Sequence, residues 1–381
     1  MTWLRLLLAL ACALAALPQL VTFHSLPLWK ATLTVSEYGH RFALLPALLL
    51  LWGLIDRSPV ARLSSLLAIA SLTLFLIPTL LMLNQGRSLH SDLKRAFGLT
   101  MTPWKPQLSA YFTGTAPPPN PQSPPTQRLE VPLPDTSPLT VLFHPALSPS
   151  PAPCLIVLHS GGWERGSAEE FPAWTHHWTS QGFAVASIAY RLAPAHPWPA
   201  QYDDVRATLA FLKQNAATLR LTGQHFALLG RSAGGQIATA CAHSLNDPTI
   251  RACIALYAPA DMTFAWKYAD PNDVLDSPRL LRQYLAGTPE DAPENYRSAS
   301  AIDLAQPGGP PTLLVHGRRD VLVWELQSRR FAAHLAQQNI PHYFLDLPCA
   351  THALDYPWHG PSSHLLRPTL DAFLTHFLKT P

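Results

Sequence analysis

Hydrophobic positions fall into two regimes along the chain. In the first 83 residues they run almost unbroken. Leu4 to Val21 is apolar except for Arg5, Pro18 and Gln19. Phe42 to Ile55 is apolar throughout, and extends back to Tyr38 if His40 and Arg41 sit at an interface. Leu63 to Leu83 is apolar apart from hydroxyl side chains and Pro78. A membrane span needs about 20 apolar residues, so the pattern predicts two to three spans, at about 4–21, 38–55 and 63–83, the second reaching span length only with its extension back to Tyr38. Trp3, Trp29, Tyr38 and Trp52 lie near segment ends, where amphipathic rings favour the headgroup zone. After residue 150 the pattern becomes short buried runs, turns and amphipathic stretches in alternation. Cys154–His159, Phe183–Ile188, His225–Leu229, Ile250–Leu256, Thr312–Val315 and Tyr343–Leu347 read as strands. Val205–Leu212, Trp324–Leu335 and His364–Leu378 read as helices. Such alternation predicts an α/β fold with a mostly parallel sheet covered on both faces and a site at the carboxyl ends of its strands.

Between the regimes, Pro103 to Pro153 holds 15 prolines, including the run Pro117 to Pro119. Proline removes a backbone donor and fixes φ, so this stretch is expected to be extended rather than helical. Its later part already belongs to the globular domain: Arg128–Val131 and Leu139–Phe143 read as two edge strands joined by a Pro-Asp turn. The expected division is a transmembrane unit at 1–86, a proline-rich spacer at 87–125 and a globular domain at 126–381.

Composition sharpens this picture. Only 13% of residues are charged and 48% are hydrophobic, with a net charge of +3, which excludes a disordered chain. Five widely spaced cysteines form neither a disulfide framework nor a zinc pair. Residues 1–125 carry 9 basic and 3 acidic side chains, and residues 126–381 carry 18 and 21. The basic excess therefore belongs to the apolar part, and no nucleic-acid partner is expected. With three spans and the N-terminus outside, the inner loops hold six basic residues and the outer loops three, which puts the globular domain inside. Read as a signal anchor, the first segment gives the opposite orientation, and a two-span count also reverses the side. A cleaved leader followed by two buried helices competes with the anchor, but the third segment is too long and too apolar for an ordinary soluble helix.

The chemistry lies at predicted strand ends. Gly230-Arg231-Ser232-Ala233-Gly234-Gly235 follows an apolar strand and opens a small-residue helix, the context that G-x-S-x-G requires. A serine on that turn points up from the sheet, and the helix N-terminus adds positive potential where an oxyanion develops. His159-Ser160-Gly161-Gly162-Trp163 ends an earlier strand, and its backbone amides can face a carbonyl oxygen. A serine hydroxyl needs a base, and the base needs a carboxylate. Asp320 and His352 follow later strands in the required order, with Asp346, Asp355, His359 and His364 as rivals. No metal or cofactor is expected.

Together the segments HSGGWERGS (159–167), AYRLAPAHPWPAQYDDV (189–205), GRSAGGQIA (230–238), YAPADM (257–262), PPTLLVHGRRDVLV (310–323) and THALDY (351–356) resemble the hormone-sensitive-lipase-like branch of the α/β-hydrolase fold, which includes bacterial carboxylesterases and feruloyl-esterase-like enzymes. The resemblance covers about residues 126 to 380. It implies an eight-stranded α/β-hydrolase sheet and a serine esterase with Ser232, Asp320 and His352 as its catalytic residues. It implies an oxyanion hole from the backbone of Gly161, Gly162 and Ala233. Arg191, Pro194 and Asp204 match a family motif expected to support these loops. Two residues depart from the family pattern: Ser160 replaces a glycine, and Arg231 replaces an acid before the nucleophile. The usual N-terminal cap is also expected to be missing or replaced.

The expected function is a membrane-anchored hydrolase of small-molecule esters of small to medium acyl length, with the lipid bilayer as its second partner. An amidase, peptidase or acyltransferase on the same residues is the alternative, followed by a catalytically dead binding module. Residues 261–297 are expected to roof the substrate site, with Trp163, Phe264 and Trp266 as candidate lining. The charge density of residues 126–381 stays low after the apolar part is set aside, which suggests a domain that works close to the bilayer.

Overall fold

The computed structural model describes residues 1–21, 25–54, 58–106, 114, 122–134, 137–148 and 151–379. The run Pro117 to Pro119 and Asp135 of the expected Pro-Asp turn lie outside the described residues.

The eight expected strands form one sheet: β1 Gln127–Val131, β2 Leu139–His144, β3 Ala152–Leu158, β4 Ala184–Ile188, β5 Leu221–Arg231, β6 Ile250–Leu256, β7 Thr312–Gly317 and β8 His342–Leu347. Their spatial order is β1-β2-β4-β3-β5-β6-β7-β8. The pairings β1–β2 and β2–β4 are antiparallel, and all the others are parallel. The central strands are buried on both faces, which is why they read as unbroken apolar runs. Successive residues serve opposite cores. Ile156, Leu158 and Leu228 pack with Val205, Leu209 and Ile237 on one face. Leu155, Val157, Leu229 and Ile254 pack with Trp174, Trp178, Phe373 and Leu374 on the other.

The N-terminal helices are α1 Thr2–Ala16, α2 Leu26–Phe42, α3 Leu44–Trp52 and α4 Pro59–Phe97. Two helical stretches, Thr2–Gln19 and Pro59–Phe97, are long and apolar enough to cross a membrane. The expected span at 38–55 is not one helix: it joins the end of α2 to the nine-residue α3. Small residues bring α1 close to α4, with Ala9, Ala16 and Ala68 fully buried at the contact. Arg5 is buried among these helices and donates to the carbonyls of Leu49 and Ala61, at 3.0 and 3.1 Å, and to Ser65 Oγ at 2.5 Å. A cation with every nearby acceptor supplied by α3 and α4 ties three helices together at one level.

The expected boundary at residue 86 falls inside α4. This helix begins at Ser58, whose hydroxyl caps the Ala61 amide, and ends at Gly98, which adopts the left-handed conformation of a helix stop. Its 39 residues span about 58 Å at 1.5 Å per residue. Leu89, Leu93 and Phe97 near its end are buried in the core of the globular domain, where Phe97 meets Phe373 and Phe377. Residues 87–97 are therefore not a spacer. Their apolar face has a partner in the C-terminal helix, distant in sequence, that the local sequence does not reveal.

Leu89→Ala is expected to destabilise the globular domain by about 2–5 kcal/mol, the range for a large-to-small change in a packed core. Denaturant unfolding in detergent checks this, and an unchanged midpoint would place the end of α4 outside the core.

Candidate active site

The sharp turn between β5 and the helix Ala233–Ser244, here α5, carries Ser232 at φ +53 and ψ −120. That left-handed backbone is strained for a side-chain residue, and it lifts the hydroxyl off the sheet. The flanking glycines are sterically required. A Cβ on Gly230 would lie 2.0 Å from the Gly234 carbonyl oxygen, and one on Gly234 would lie 2.3 Å from that of Leu158. The Ser232 amide donates to the Leu256 carbonyl at 2.9 Å, which ties the turn to the end of β6.

His352 lies in the loop after β8. Its Nε2 is 2.9 Å from Ser232 Oγ and its Nδ1 is 2.6 Å from Asp320 Oδ2. A carboxylate only accepts, so Nδ1 carries the hydrogen and Nε2 is left to accept from the serine hydroxyl. Asp320 follows β7, and its Oδ1 accepts from the Leu322 and Val323 amides at 2.9 Å each. Burial alone would raise the Asp320 carboxyl. The His352 charge and hydrogen bonds from His316 and His352 outweigh it and hold the group well below the ordinary carboxylate range. His316 contacts Asp320 Oδ2 at 3.2 Å and the Val323 carbonyl at 2.9 Å through Nε2, and Ser328 Oγ at 2.8 Å through Nδ1. It braces the acid against the end of β7.

Gly162, Ser232 and Ala233 border one cavity of about 220 Å³. Gly161 sits at φ +121, and a Cβ there would strike the Arg165 carbonyl oxygen at 2.0 Å. Ser160 is held by Glu170, which accepts from its amide at 2.9 Å and from its hydroxyl at 3.0 Å. The serine that replaces a glycine thus gains an acceptor ten residues on. Trp163 lines the cavity, stacks on Tyr284 at 4.4 Å, and donates to Gln236 Oε1 at 2.9 Å. The helices Met262–Lys267 and Ser277–Leu285 form the roof, with Phe264, Tyr268 and Leu280 facing the cavity. Trp266 does not line it: the indole turns to the other side of its short helix, against Tyr296 and under Arg282. Two residues at about 100° each put it roughly half a turn round the helix from Phe264, and only one of the two can face the cavity.

The rival acids and bases are engaged elsewhere. Asp346 pairs with Arg318 and Arg329. His359 packs against His364 with ring centroids 5.7 Å apart. Asp355 pairs with Arg231 at 2.5 Å, both fully buried, and also accepts from the Tyr257 hydroxyl at 2.6 Å. The Tyr257 ring packs edge-on against His352. Arg231, next to the nucleophile, therefore holds the loop that carries the histidine. Arg191 and Asp204 form the expected supporting pair at 2.7 Å. Sequence reasoning missed Glu170, Gln236 and His316. Of these, Gln236 carries a local signal, standing one helical turn after Ser232.

A mostly parallel eight-stranded sheet with a serine at the β5 turn, an acid after β7 and a histidine after β8 defines an α/β-hydrolase. Within that class, residues 141–335, just over half of the chain, match the BD-FAE family, and the chain belongs to it. It is similar to the esterase LipC of Mycobacterium tuberculosis, 30% identical over 234 residues that make up 57% of each chain. It is also similar to the carboxylesterase NlhH of the same species, 38% identical over 96 residues, 25% of this chain and 30% of that one. The chain spans 50–57% of the length of LipC, LipM and LipQ, three curated relatives that it matches. Among solved structures, a bacterial heroin esterase aligns with a TM-score of 0.59 and 22% identity over 67% of this chain and 85% of that one. A hyperthermophilic esterase from the archaeon Pyrobaculum calidifontis aligns with a TM-score of 0.57 and 21% identity over 66% and 83%. At such identities the likeness carries the fold.

Two outcomes test the site's electrostatics. Arg231→Met leaves Asp355 buried without its cation and is expected to cost about 3–5 kcal/mol in denaturant unfolding. Asp320 ionises at lower pH folded than at its unfolded value of about 3.9. Its contribution is therefore complete above that pH and is lost as the pH falls towards the folded value. Asp320→Asn should flatten the acid limb of the stability profile, and identical limbs in both proteins would contradict the depressed carboxyl.

Proposed function

We propose that the chain is a membrane-anchored serine hydrolase that cleaves carboxylic esters of small to medium acyl length through an acyl-enzyme. The relay from Ser232 through His352 to Asp320, opening into an apolar cavity, carries the reading. Ser232 Oγ attacks the ester carbonyl while its proton passes to His352 Nε2. The backbone amides of Gly161, Gly162 and Ala233 hold the oxyanion. The C–O bond breaks, and the proton moves from Nε2 to the leaving alkoxide, which departs as alcohol. Water then attacks the acyl-serine, giving its proton to His352. The carboxylic acid leaves and Ser232 is reprotonated. Asp320 orients His352 and stabilises its cationic form. Trp163 and Phe264 line the substrate site.

The membrane anchor is the apolar unit of α1, α3 and the first part of α4. Among the described residues, 22 of the 26 exposed large hydrophobic side chains lie between Met1 and Leu81. A surface this apolar belongs in lipid rather than water. The globular domain follows, with the second half of α4 docked on it.

A fluorophosphonate probe is expected to label the full-length protein and to leave Ser232→Ala unlabelled. Labelling of the alanine variant, or an unlabelled folded wild type, would end the reading. Asp320→Asn is expected to lower kcat on nitrophenyl esters by about 10⁴, the effect of losing the carboxylate in a serine triad.

A further inference from the structure

The cavity and the apolar helices meet at one loop. Residues 318–324 leave β7 carrying Asp320. At the near end of this loop the Arg319 guanidinium donates to the carbonyls of Pro18 and Val21, at 2.5 and 2.9 Å, and to Gln19 Oε1 at 3.1 Å. These acceptors lie just past the end of α1, beside the exposed side chains of Leu17, Leu20 and Val21. At its far end, Val321 to Trp324 form a wall of the cavity. Val321 follows Arg319 by only two residues, about 7 Å of chain at most, so one short loop both touches the end of α1 and walls the cavity. The helices are also pinned beside the histidine loop, because Glu37 of α2 accepts from the Ser362 hydroxyl at 2.5 Å and from its amide at 3.2 Å.

The mouth is aromatic and exposed. Outside the N-terminal helices, four large hydrophobic side chains are exposed among the described residues: Tyr268 at 46%, Trp324 at 44%, Leu326 at 40% and Tyr356 at 71%. The first two line the cavity and contact one another at 5.1 Å, and Leu326 follows Trp324 by two residues. Tyr356 follows His352 by four. Tyrosine and tryptophan with a wet edge and an apolar body favour the headgroup level of a bilayer. The end of a membrane helix marks that same level. Asp270 and Asp273 also line the cavity, and no basic side chain does so among the described residues.

Resting on the esterase and membrane readings above, we propose that the site takes its substrate from the bilayer, and that the substrate is an ester of an uncharged amphiphile. Such an ester enters past Tyr268 and Trp324 without crossing water. Hydrolysis uses one water and yields a carboxylic acid and an alcohol. The two aspartates disfavour an anionic ester at the mouth.

The test reconstitutes the full chain in phosphatidylcholine vesicles with a neutral chromogenic ester on a double-chain anchor that does not exchange between vesicles. Soluble nitrophenyl acetate serves as the reference. The anchored ester is expected to be cleaved at least about tenfold faster in the enzyme's own vesicles than in separate ones, as effective concentration requires. An anchored ester carrying a phosphate beside the scissile bond should be cleaved more slowly than the neutral one. Leu326→Glu should lower the ratio of anchored to soluble turnover. Cleavage of nitrophenyl acetate with the anchored ester spared in the same vesicles overturns the proposal and leaves the esterase reading standing. An unchanged ratio in Leu326→Glu, or equal turnover of the phosphate-bearing ester, also counts against it. If neither ester is cleaved, the esterase reading fails and this proposal fails with it.

Discussion

Two loops that the chain places 120 residues apart are fastened by one buried ion pair. Arg231 precedes the nucleophile and Asp355 follows the histidine by three residues, and their side chains meet at 2.5 Å with neither exposed. Neither charge tolerates such burial alone, so the two loops are fixed relative to each other by the penalty for separating them. The surroundings agree with that demand. The Tyr257 hydroxyl supplies Asp355 with a second hydrogen bond, and the Phe171 ring lies 4.2 Å from the guanidinium. The Trp174 indole donates to the Asp355 carbonyl at 2.9 Å. The cation beside Ser232 is thus neutralised before it reaches the hydroxyl, and the departure from an acidic residue at this position is compensated locally.

The sheet was legible because its strands are buried on both faces and bounded by glycine, proline and polar turns. Seven of the eight expected strands begin and end within two residues of their place, β5 begins four residues before the expected His225, and the Ser232, Asp320 and His352 loops all emerge at carboxyl ends. What the sequence hid depends on contacts across the fold. Glu170 becomes a partner for Ser160 only once a loop folds back, and Trp266 turns away from the cavity because its six-residue helix has two faces. The extension of α4 was hidden for the same reason. Residues 87–97 are polar enough to read as connection, and their three buried apolar side chains have meaning only against Phe373 and Phe377.

The low charge content divides along similar lines. In the N-terminal helices it reflects an apolar exterior in which Arg5, the one buried arginine or lysine among the described residues there, is satisfied by carbonyls and a hydroxyl. In the globular domain, exposed apolar side chains are few and are concentrated beside the cavity and the histidine loop. Polar side chains near the site are mostly spent on holding backbone: Gln327 accepts from the Ala260 and Asp261 amides, and Gln236 reaches the Ala299 carbonyl.

The unbroken helix from Pro59 to Phe97 acts as a phase-locked shaft. An α-helix turns about 100° and rises 1.5 Å for every residue. The angle of the globular domain about this axis is therefore counted in residues between the apolar half and the docked half. One residue more or fewer near Leu83 would swing the domain by more than a quarter turn. Arg319 would be carried away from Pro18 and Ser362 from Glu37, so helix length in this chain is also an instruction about which way the cavity faces.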